Sequence, residues 1–118
     1  MTAKHYVPDR GDIVWLQFNP QTGHEQAGHR PALVLSPAAY NEKTGLMLCC
    51  PMTSKVKGYS FEVSFPASSP ETGVVLADQV KSLDWRSRKA KRKGKAPKEV
   101  VTETLAKVHA LLAFEKAG

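Results

Sequence analysis

The stretch EQAGHRPALVLSP, residues 25–37, says most about the fold of this 118-residue chain. A polar, glycine-containing loop ends at Arg30 and Pro31, and the mainly apolar residues 32–36 that follow predict a buried β-strand. Proline fixes its own φ angle and pushes the preceding residue into an extended conformation. We therefore expect Arg30 to be held at the rigid end of a strand, where an arginine can bind a phosphate or a developing negative charge.

Short strands separated by turn residues are predicted on both sides of this stretch. Runs rich in β-branched and aromatic residues, several of them alternating in polarity, predict strands at 12–18, 32–36, 46–52, 61–65, 73–80 and 82–85. The loop between the first two strands extends to about His29, and such long loops in compact domains are often functional. Residues 37–45 predict a turn that contains at most one helical turn.

A helix is predicted at the C-terminal end, over about residues 97–113. Pro97 occupies a favoured first-turn position, and an apolar stripe follows at helical spacing, formed by Val101, Leu105, Val108 and Leu112. There are no internal repeats and no linker, so residues 1–118 are expected to form a single domain. Several short strands with one closing helix predict a mainly β protein, a small and strongly curled antiparallel sheet or partial barrel.

The net charge of +6 is concentrated in one segment. Residues 86–98 hold eight of the 17 lysines and arginines and no acidic residue, while the rest of the chain has nine bases and 11 acids. Gly94 and Pro97 predict that this segment is a mobile loop rather than a helix face. A loop with charges of a single sign suits a polyanion such as nucleic acid, and it suits an acidic protein partner equally well.

Several classes of protein are excluded by composition. No apolar run approaches the roughly 20 residues of a membrane-spanning helix, and the N-terminus lacks the apolar region of a signal peptide, so a cytoplasmic protein without membrane contact is expected. Cys49 and Cys50 are adjacent, which predicts two reduced thiols in a strand rather than a disulfide or a zinc site. The four histidines are scattered without metal-ligand spacing, so we expect neither a metal nor another cofactor.

Six short motifs, in this order and spacing, resemble the MazF/PemK-type toxins of bacterial toxin–antitoxin pairs: YVPDRGDIVW at 6–15, GHRP at 28–31, LSP at 35–37, KTG at 43–45, KGY at 57–59 and ADQVKS at 77–82. The resemblance covers nearly the whole chain. It implies an SH3-like barrel, a homodimer, and metal-independent, sequence-specific cleavage of single-stranded mRNA. It also implies inhibition by a MazE-like antitoxin with a disordered acidic tail, and promoter DNA binding by the toxin–antitoxin complex, mainly through the antitoxin.

The resemblance also implies the site residues. Arg30 lies where the family has its catalytic arginine, and charge stabilisation is its best-supported role, because a guanidinium pKa above ~12 makes proton transfer difficult. Thr53 matches the hydroxyl residue of the second family motif and is expected to donate to a phosphate oxygen. Glu25 is expected either to accept the 2′ proton or to hold Arg30 in place.

The expected RNA contacts lie in three regions of the sequence and comprise Lys57, Ser54, Asn19, Gln21, Thr22, Gln26, His29 and Gln79. Tyr40, Tyr59 and Trp85 have rings on which bases can stack, but core packing is the simpler expectation for all three. Two alternatives stay open: a gyrase-poisoning toxin of the CcdB type, which shares the fold, and a non-catalytic nucleic-acid-binding barrel, which the basic segment alone would support.

Overall fold

Antiparallel β-strands dominate the computed structural model, which describes residues 5–17 and 29–113. The described elements in chain order are β1 (Asp12–Gln17), β2 (His29–Val34), α1 (Ala38–Thr44), β3 (Leu46–Thr53), β4 (Glu62–Ser64), β5 (Val74–Leu76), a 3₁₀ turn (Ala77–Gln79), β6 (Lys81–Asp84), β7 (Lys91–Lys95) and α2 (Lys98–Leu112). The mainly β fold with a C-terminal helix confirms the fold class predicted from the sequence. No helix in the described part of the chain is long and apolar enough to cross a membrane.

The strands form one curled sheet with the order β4-β5-β3-β2-β1-β7. Strand β3 lies at the centre of the sheet and pairs with β2 along one edge. Along its other edge, the first half of β3 pairs with β6, and its last two residues pair with β5. This change of partner along β3 bends the sheet. Within residues 5–17 and 29–113 the strand path ends at β4 and β7, so the sheet is a partial rather than a closed barrel.

Both faces of the central strands are buried, because successive side chains of a strand point to opposite faces. Ile13 and Leu33 belong to a core cluster that is covered by Val100 of α2. Their neighbours Val14 and Ala32, together with the other side chains on that face, belong to a second cluster that is closed by Trp85. The sheet is thereby held between the C-terminal helix and the turn that follows β6.

The basic segment 86–98 was expected to be a mobile loop, and this prediction is wrong. Residues 85–89 form a turn, and β7 then pairs with β1 through a register that includes Asp12 opposite Lys95 and Trp15 opposite Lys91. Hydrogen bonds from the backbone N–H groups of Ser87 and Arg86 order the turn and hold the pKa of the Asp84 carboxyl below its ordinary value. The unpaired edge of β1 offers the backbone partners that outweigh the low strand propensity of lysine.

The apolar stripe predicted for α2 matches its buried face only in part, since Val101 and Val108 pack against the core cluster that contains Val100. Val100 and Thr104 are the buried residues of this helix, and Leu105 and Leu112 are exposed. Thr104 is tolerated in the core because its hydroxyl donates to the carbonyl of Val100 at 2.8 Å. The hydroxyl is therefore satisfied within the helix, a local bond that hydrophobic spacing does not reveal.

Three further elements differ from the prediction. The strand predicted over 73–80 ends at Leu76, because Ala77–Gln79 form the 3₁₀ turn. Strand β2 begins at His29, three residues earlier than expected, and the predicted turn at 37–45 contains the seven-residue helix α1. Gly45 ends this helix with φ at 75°, the left-handed conformation that favours glycine at a helix C-terminus. Helix α1 therefore connects β2 to β3 by a short, rigid path that keeps the two strands paired.

Candidate active site

A cavity of about 630 Å³ opens beside the C-terminal end of β3. Its wall combines residues of strands β2 to β6, the loop that follows β3, and the 3₁₀ turn: Arg30, Pro51, Met52, Thr53, Lys55, Lys57, Tyr59, Glu62, Leu76, Asp78, Gln79 and Lys81. Met52 is 4% exposed and belongs to the main core cluster. The cavity is therefore built directly on the packed interior of the protein.

Arg30 reaches this cavity from β2. Its side chain is exposed, and its backbone lies opposite Leu16 in the register of β1 and β2. Strands β2 and β3 pair with Ala32 opposite Pro51, and counting two residues further along each strand leads to Arg30 and Thr53. Both residues line the same cavity, so the sheet brings together two positions that are separated by 23 residues of sequence.

Thr53 is half-buried at the last position of β3. Its hydroxyl oxygen accepts a hydrogen bond from the backbone N–H of Lys55 at 3.1 Å. Because a hydroxyl has one hydrogen and two acceptor lone pairs, this bond leaves the hydrogen available to donate towards the cavity. The arrangement orients Thr53 as a donor to an oxygen of a bound ligand.

Gly73 fixes the position of Thr53 from the other side. A Cβ atom at residue 73 would lie 2.3 Å from the carbonyl oxygen of Thr53, and the φ angle of Gly73 is 90°. Only glycine tolerates both the close approach and this left-handed backbone. The start of β5 can therefore pack directly against the backbone of Thr53.

The loop at 54–60 is shaped by Glu62 and α2. The two carboxylate oxygens of Glu62 accept hydrogen bonds from the backbone N–H groups of Lys57 at 3.1 Å and Gly58 at 2.9 Å. The ammonium group of Lys107 on α2 donates to the carbonyl of Ser60 at 2.6 Å. These contacts set the path of the loop that brings the Lys57 side chain to the cavity.

A second cavity of about 400 Å³ adjoins the first and shares four of its residues, Arg30, Met52, Thr53 and Lys55. Its other walls are formed by Pro31, Ser54, Glu71, Thr72 and Lys93. Lys93 belongs to β7, and its ammonium group forms an ion pair with Glu71 at 2.7 Å. Arg30 and Thr53 therefore lie between a larger cavity and a smaller one that leads towards β7.

The cavities are rich in positive charge. Around the larger one, Arg30 and three lysines face two acids, Glu62 and Asp78, and both oxygens of Glu62 are already bonded to backbone N–H groups. In the described ranges no three His, Cys, Asp or Glu side chains gather into a possible metal site. Cationic groups and hydroxyls around a solvent-filled cavity are the donors that a phosphodiester needs.

The structure brings four of the predicted site residues to the larger cavity, namely Arg30, Thr53, Lys57 and Gln79, and brings Ser54 to the smaller one. His29 is exposed at the start of β2 and lines neither cavity. The remaining predicted residues lie outside the described residues: Glu25, Asn19, Gln21, Thr22 and Gln26.

Sequence reasoning missed four charged residues that line the larger cavity, Lys55, Lys81, Glu62 and Asp78. Their proximity in sequence to Ser54 and Gln79, which were predicted, was the available signal. Tyr59 was expected in the core, but it is 66% exposed and lines the cavity. Tyr59 lies in the loop that precedes β4, outside the strands whose side chains form the core.

The other expectations for aromatic and cysteine residues have mixed outcomes. Tyr40 is 42% exposed on α1, contrary to the expected core packing, whereas Trp85 is buried and its indole N–H donates to the carbonyl of Asn41 at 2.9 Å. Cys49 and Cys50 are free, buried thiols in β3, as predicted. Burial raises the pKa of each thiol to about 12, which leaves both unreactive at neutral pH.

Comparison with known proteins shows the family of the chain. A family model described as the PemK-like, MazF-like toxin of type II toxin–antitoxin systems matches residues 9–112. The chain belongs to this family. It is 52% identical over 110 residues to the endoribonuclease toxin MazF of Escherichia coli K12, covering 93% of this chain and 98% of that protein.

Solved structures show the same similarity. The crystal structure of MazF from Deinococcus radiodurans superposes with a TM-score of 0.83 at 59% identity, covering 93% of this chain and all of that one. A crystal structure of the MazE–MazF complex from the same organism gives a TM-score of 0.82 at 53% identity, covering 94% of this chain and all of the matched chain. The whole domain is therefore shared with these relatives, including the strands that carry Arg30 and Thr53.

Proposed function

We propose that this chain, an endoribonuclease of the MazF/PemK family, cleaves single-stranded mRNA at short sequence motifs without a metal ion. The observation that carries the proposal is that Arg30 and Thr53 line one cationic cavity from neighbouring strand ends. The similarity to endoribonuclease toxins over more than nine-tenths of the chain supports the same activity. Gyrase poisoning would act through a protein surface and would leave this cationic cavity unexplained.

The proposed reaction uses the RNA's own 2′-hydroxyl as nucleophile. Its oxygen attacks the adjacent phosphorus, the bond from phosphorus to the 5′-oxygen breaks, and the products are a 2′,3′-cyclic phosphate and a 5′-hydroxyl. The 2′ proton passes to a base on the protein, and the departing 5′-oxygen takes a proton from solvent water to become the 5′-hydroxyl. We assign acceptance of the 2′ proton to Glu25, which the family resemblance suggests.

Arg30 and Thr53 are proposed to stabilise the negative charge that builds up on the phosphate oxygens. A guanidinium group can donate two parallel hydrogen bonds to these oxygens and keeps its charge throughout the reaction. The Thr53 hydroxyl supplies a third donor, since its oxygen is already engaged by the Lys55 N–H. Donors that are fixed in place before the reaction cost no reorganisation at the transition state.

The substrate strand is proposed to be held by Lys57, Ser54, Gln79 and His29, together with Asn19, Gln21, Thr22 and Gln26 of the β1–β2 loop. Tyr59, exposed beside Lys57, offers a ring on which a base can stack. We further propose that the toxin is a homodimer acting in the cytoplasm and is neutralised by a MazE-like antitoxin with an acidic tail. The toxin–antitoxin complex would bind its promoter DNA through the antitoxin.

A cleavage assay tests this proposal. Wild-type protein, Arg30→Ala and Thr53→Ala are incubated with a long single-stranded RNA in excess EDTA, and primer extension maps the cuts. We expect discrete cuts at one recurring motif, and a fall in kcat of roughly 10²- to 10³-fold in Arg30→Ala, the usual loss of one transition-state donor. Lys43→Ala, which removes an exposed cation from α1, is the control and should cleave like the wild type.

Two results would contradict the proposal. Cleavage abolished by EDTA and restored by a divalent cation would place a metal in the reaction. Intact RNA in every lane, from protein that is folded by circular dichroism, would favour gyrase poisoning or a binding-only role. End analysis of the fragments adds an independent check, because only cyclic phosphate ends agree with attack by the 2′-hydroxyl.

A further inference from the structure

We propose that strand β7 binds the RNA backbone beside the cut site and so extends the substrate-binding surface by one additional strand of the sheet. The inference rests on the proposed ribonuclease function, and it concerns a surface that the cleavage chemistry does not use. Strand β7 carries four bases: Lys91, Arg92 and Lys95 are exposed, and the side chain of Lys93 is half-buried against Glu71. The strand is the last of the path β4-β5-β3-β2-β1-β7 within the described residues.

The charges of β7 are only partly compensated. Arg92 and Lys95 share one carboxylate oxygen of Asp12, at 3.8 and 3.7 Å. The other oxygen of Asp12 accepts the phenol hydrogen of Tyr6 at 2.5 Å and the backbone N–H of Asp9. Two carboxylates therefore face four bases in the described part of the chain, and the strand keeps a surplus of positive charge.

Strand β7 is also continuous with the cleavage site. Lys93 lines the smaller cavity together with Arg30 and Thr53. Its ammonium group lies 5.3 Å from the ring centroid of Trp15 and 2.7 Å from Glu71, contacts that hold it in a fixed direction. Because only β1 separates β7 from β2, the strand lies about 10 Å from Arg30, two strand spacings across the sheet.

This placement favours RNA as the occupant. A strand of RNA whose scissile phosphate lies at Arg30 must leave the cavity, and its next phosphates repel one another unless cations lie beside them. Single-strand binding sites extend over about four nucleotides or more, which is longer than the cavity that contains Arg30 and Thr53. Lys93 would meet such a strand at the smaller cavity, beside Arg30 and Thr53, and the other bases of β7 continue from it along the same strand.

The test measures binding of two RNA oligonucleotides that cannot be cut, because the nucleotide at the mapped site carries a 2′-deoxyribose. One covers only the cut motif, and the other carries unstructured flanks on both sides. The variants are Lys91→Gln and the double variant Lys91→Gln/Lys93→Gln. The control, Lys43→Gln/Lys98→Gln, removes the same charge from exposed helix positions outside β7.

We expect the double variant to bind the long RNA roughly tenfold more weakly while binding of the short RNA changes little. The slope of log K against log salt should become shallower by about 1.4, the loss of two phosphate contacts on a single strand. Lys91→Gln, which leaves the Lys93–Glu71 ion pair intact, should give about half of that change in slope. The control should match the wild type in both quantities.

Three outcomes would overturn the assignment. An unchanged salt slope for the long RNA would remove β7 from the binding surface, and equal losses for both lengths would place its bases in the cleavage pocket itself. Loss of binding to a short Glu-rich peptide, with RNA binding intact, would assign the strand to an acidic protein partner. Failure of the ribonuclease proposal is detected separately, because cleavage of unmodified RNA is measured on the same wild-type protein.

Discussion

At the scale of single residues, the candidate site depends on a glycine that lines neither of its two cavities. Gly73 has φ at 90° and approaches the Thr53 carbonyl so closely that a Cβ atom would lie 2.3 Å from it. The Thr53 hydroxyl is held by Lys55, whereas the Thr53 backbone is held by this packing. The donor geometry of the cavity is thus set by a neighbouring strand.

The variant Gly73→Ala should therefore lose both stability and activity. Strain at a left-handed φ and the displacement of Thr53 together should lower the free energy of unfolding by about 2–4 kcal/mol. Urea unfolding measures this loss, and RNA cleavage by the fraction that remains folded should have a reduced kcat. Activity per folded molecule equal to the wild type would mean that Thr53 does not depend on this contact.

Gly45→Ala is the matched control for the free-energy cost of placing a Cβ atom at a left-handed φ angle. Gly45 also has a positive φ, at 75°, but its Cβ would meet only the flexible end of Arg86 at 3.7 Å. This variant should cost about 1 kcal/mol and leave kcat unchanged. The difference between the two variants then measures the effect of displacing Thr53.

At the scale of elements, β7 is a strand that the sequence did not predict. Eight bases with a glycine and a proline are typical of a solvated loop, yet the unpaired edge of β1 and the carboxylate of Asp12 make residues 91–95 a strand. By contrast, strand β2 was predictable except for its first three residues, because the apolar run at 32–35 and Pro31 act locally. Gly73 could not be assigned to Thr53 from sequence, because 20 residues separate them and only the pairing of β3 with β5 brings them together.

The loop that carries Lys57 gives a prediction at the same scale. In Glu62→Gln one of the two carboxylate oxygens that accept from the Lys57 and Gly58 N–H groups becomes an amide nitrogen, which cannot accept a hydrogen bond. The loop should loosen, so that KM for RNA rises about fivefold while kcat changes little. Hydrogen exchange at the two amides should accelerate, a readout that a purely electrostatic effect of Glu62 on the substrate would not move.

Glu42→Gln is the control for the loss of one negative charge. Glu42 is exposed on α1, away from the two cavities that contain Arg30, and its side chain makes no hydrogen bond within the described residues. It should leave KM and the exchange of both amides unchanged. If Glu62→Gln behaved like this control, the path of the loop would have to be set by Lys107 and Ser60 instead.

At the scale of the whole molecule, one buried polar residue links segments that are distant in sequence. Asn41 has no exposed surface, and its amide nitrogen donates to the carbonyls of Pro8 at 2.7 Å and Ser36 at 2.9 Å. Its side-chain carbonyl accepts from the Ser36 hydroxyl at 2.6 Å, and its backbone carbonyl accepts from the Trp85 indole N–H at 2.9 Å. The N-terminal segment, α1 and the turn after β6 are therefore held at one point behind the sheet.

A double-mutant cycle on Asn41 and Ser36 tests whether this point acts as a unit. Asn41→Ala should cost about 3 kcal/mol, because several buried groups lose their partners, and Ser36→Ala should cost about 1.5 kcal/mol. The double variant should cost about 1 kcal/mol less than the sum, since each single variant already breaks the bond the two residues share. If urea unfolding gave a loss for the double variant equal to the sum of the two single losses, the contacts of Asn41 and Ser36 would be independent. The rigidity of the candidate active site would then come from the sheet alone.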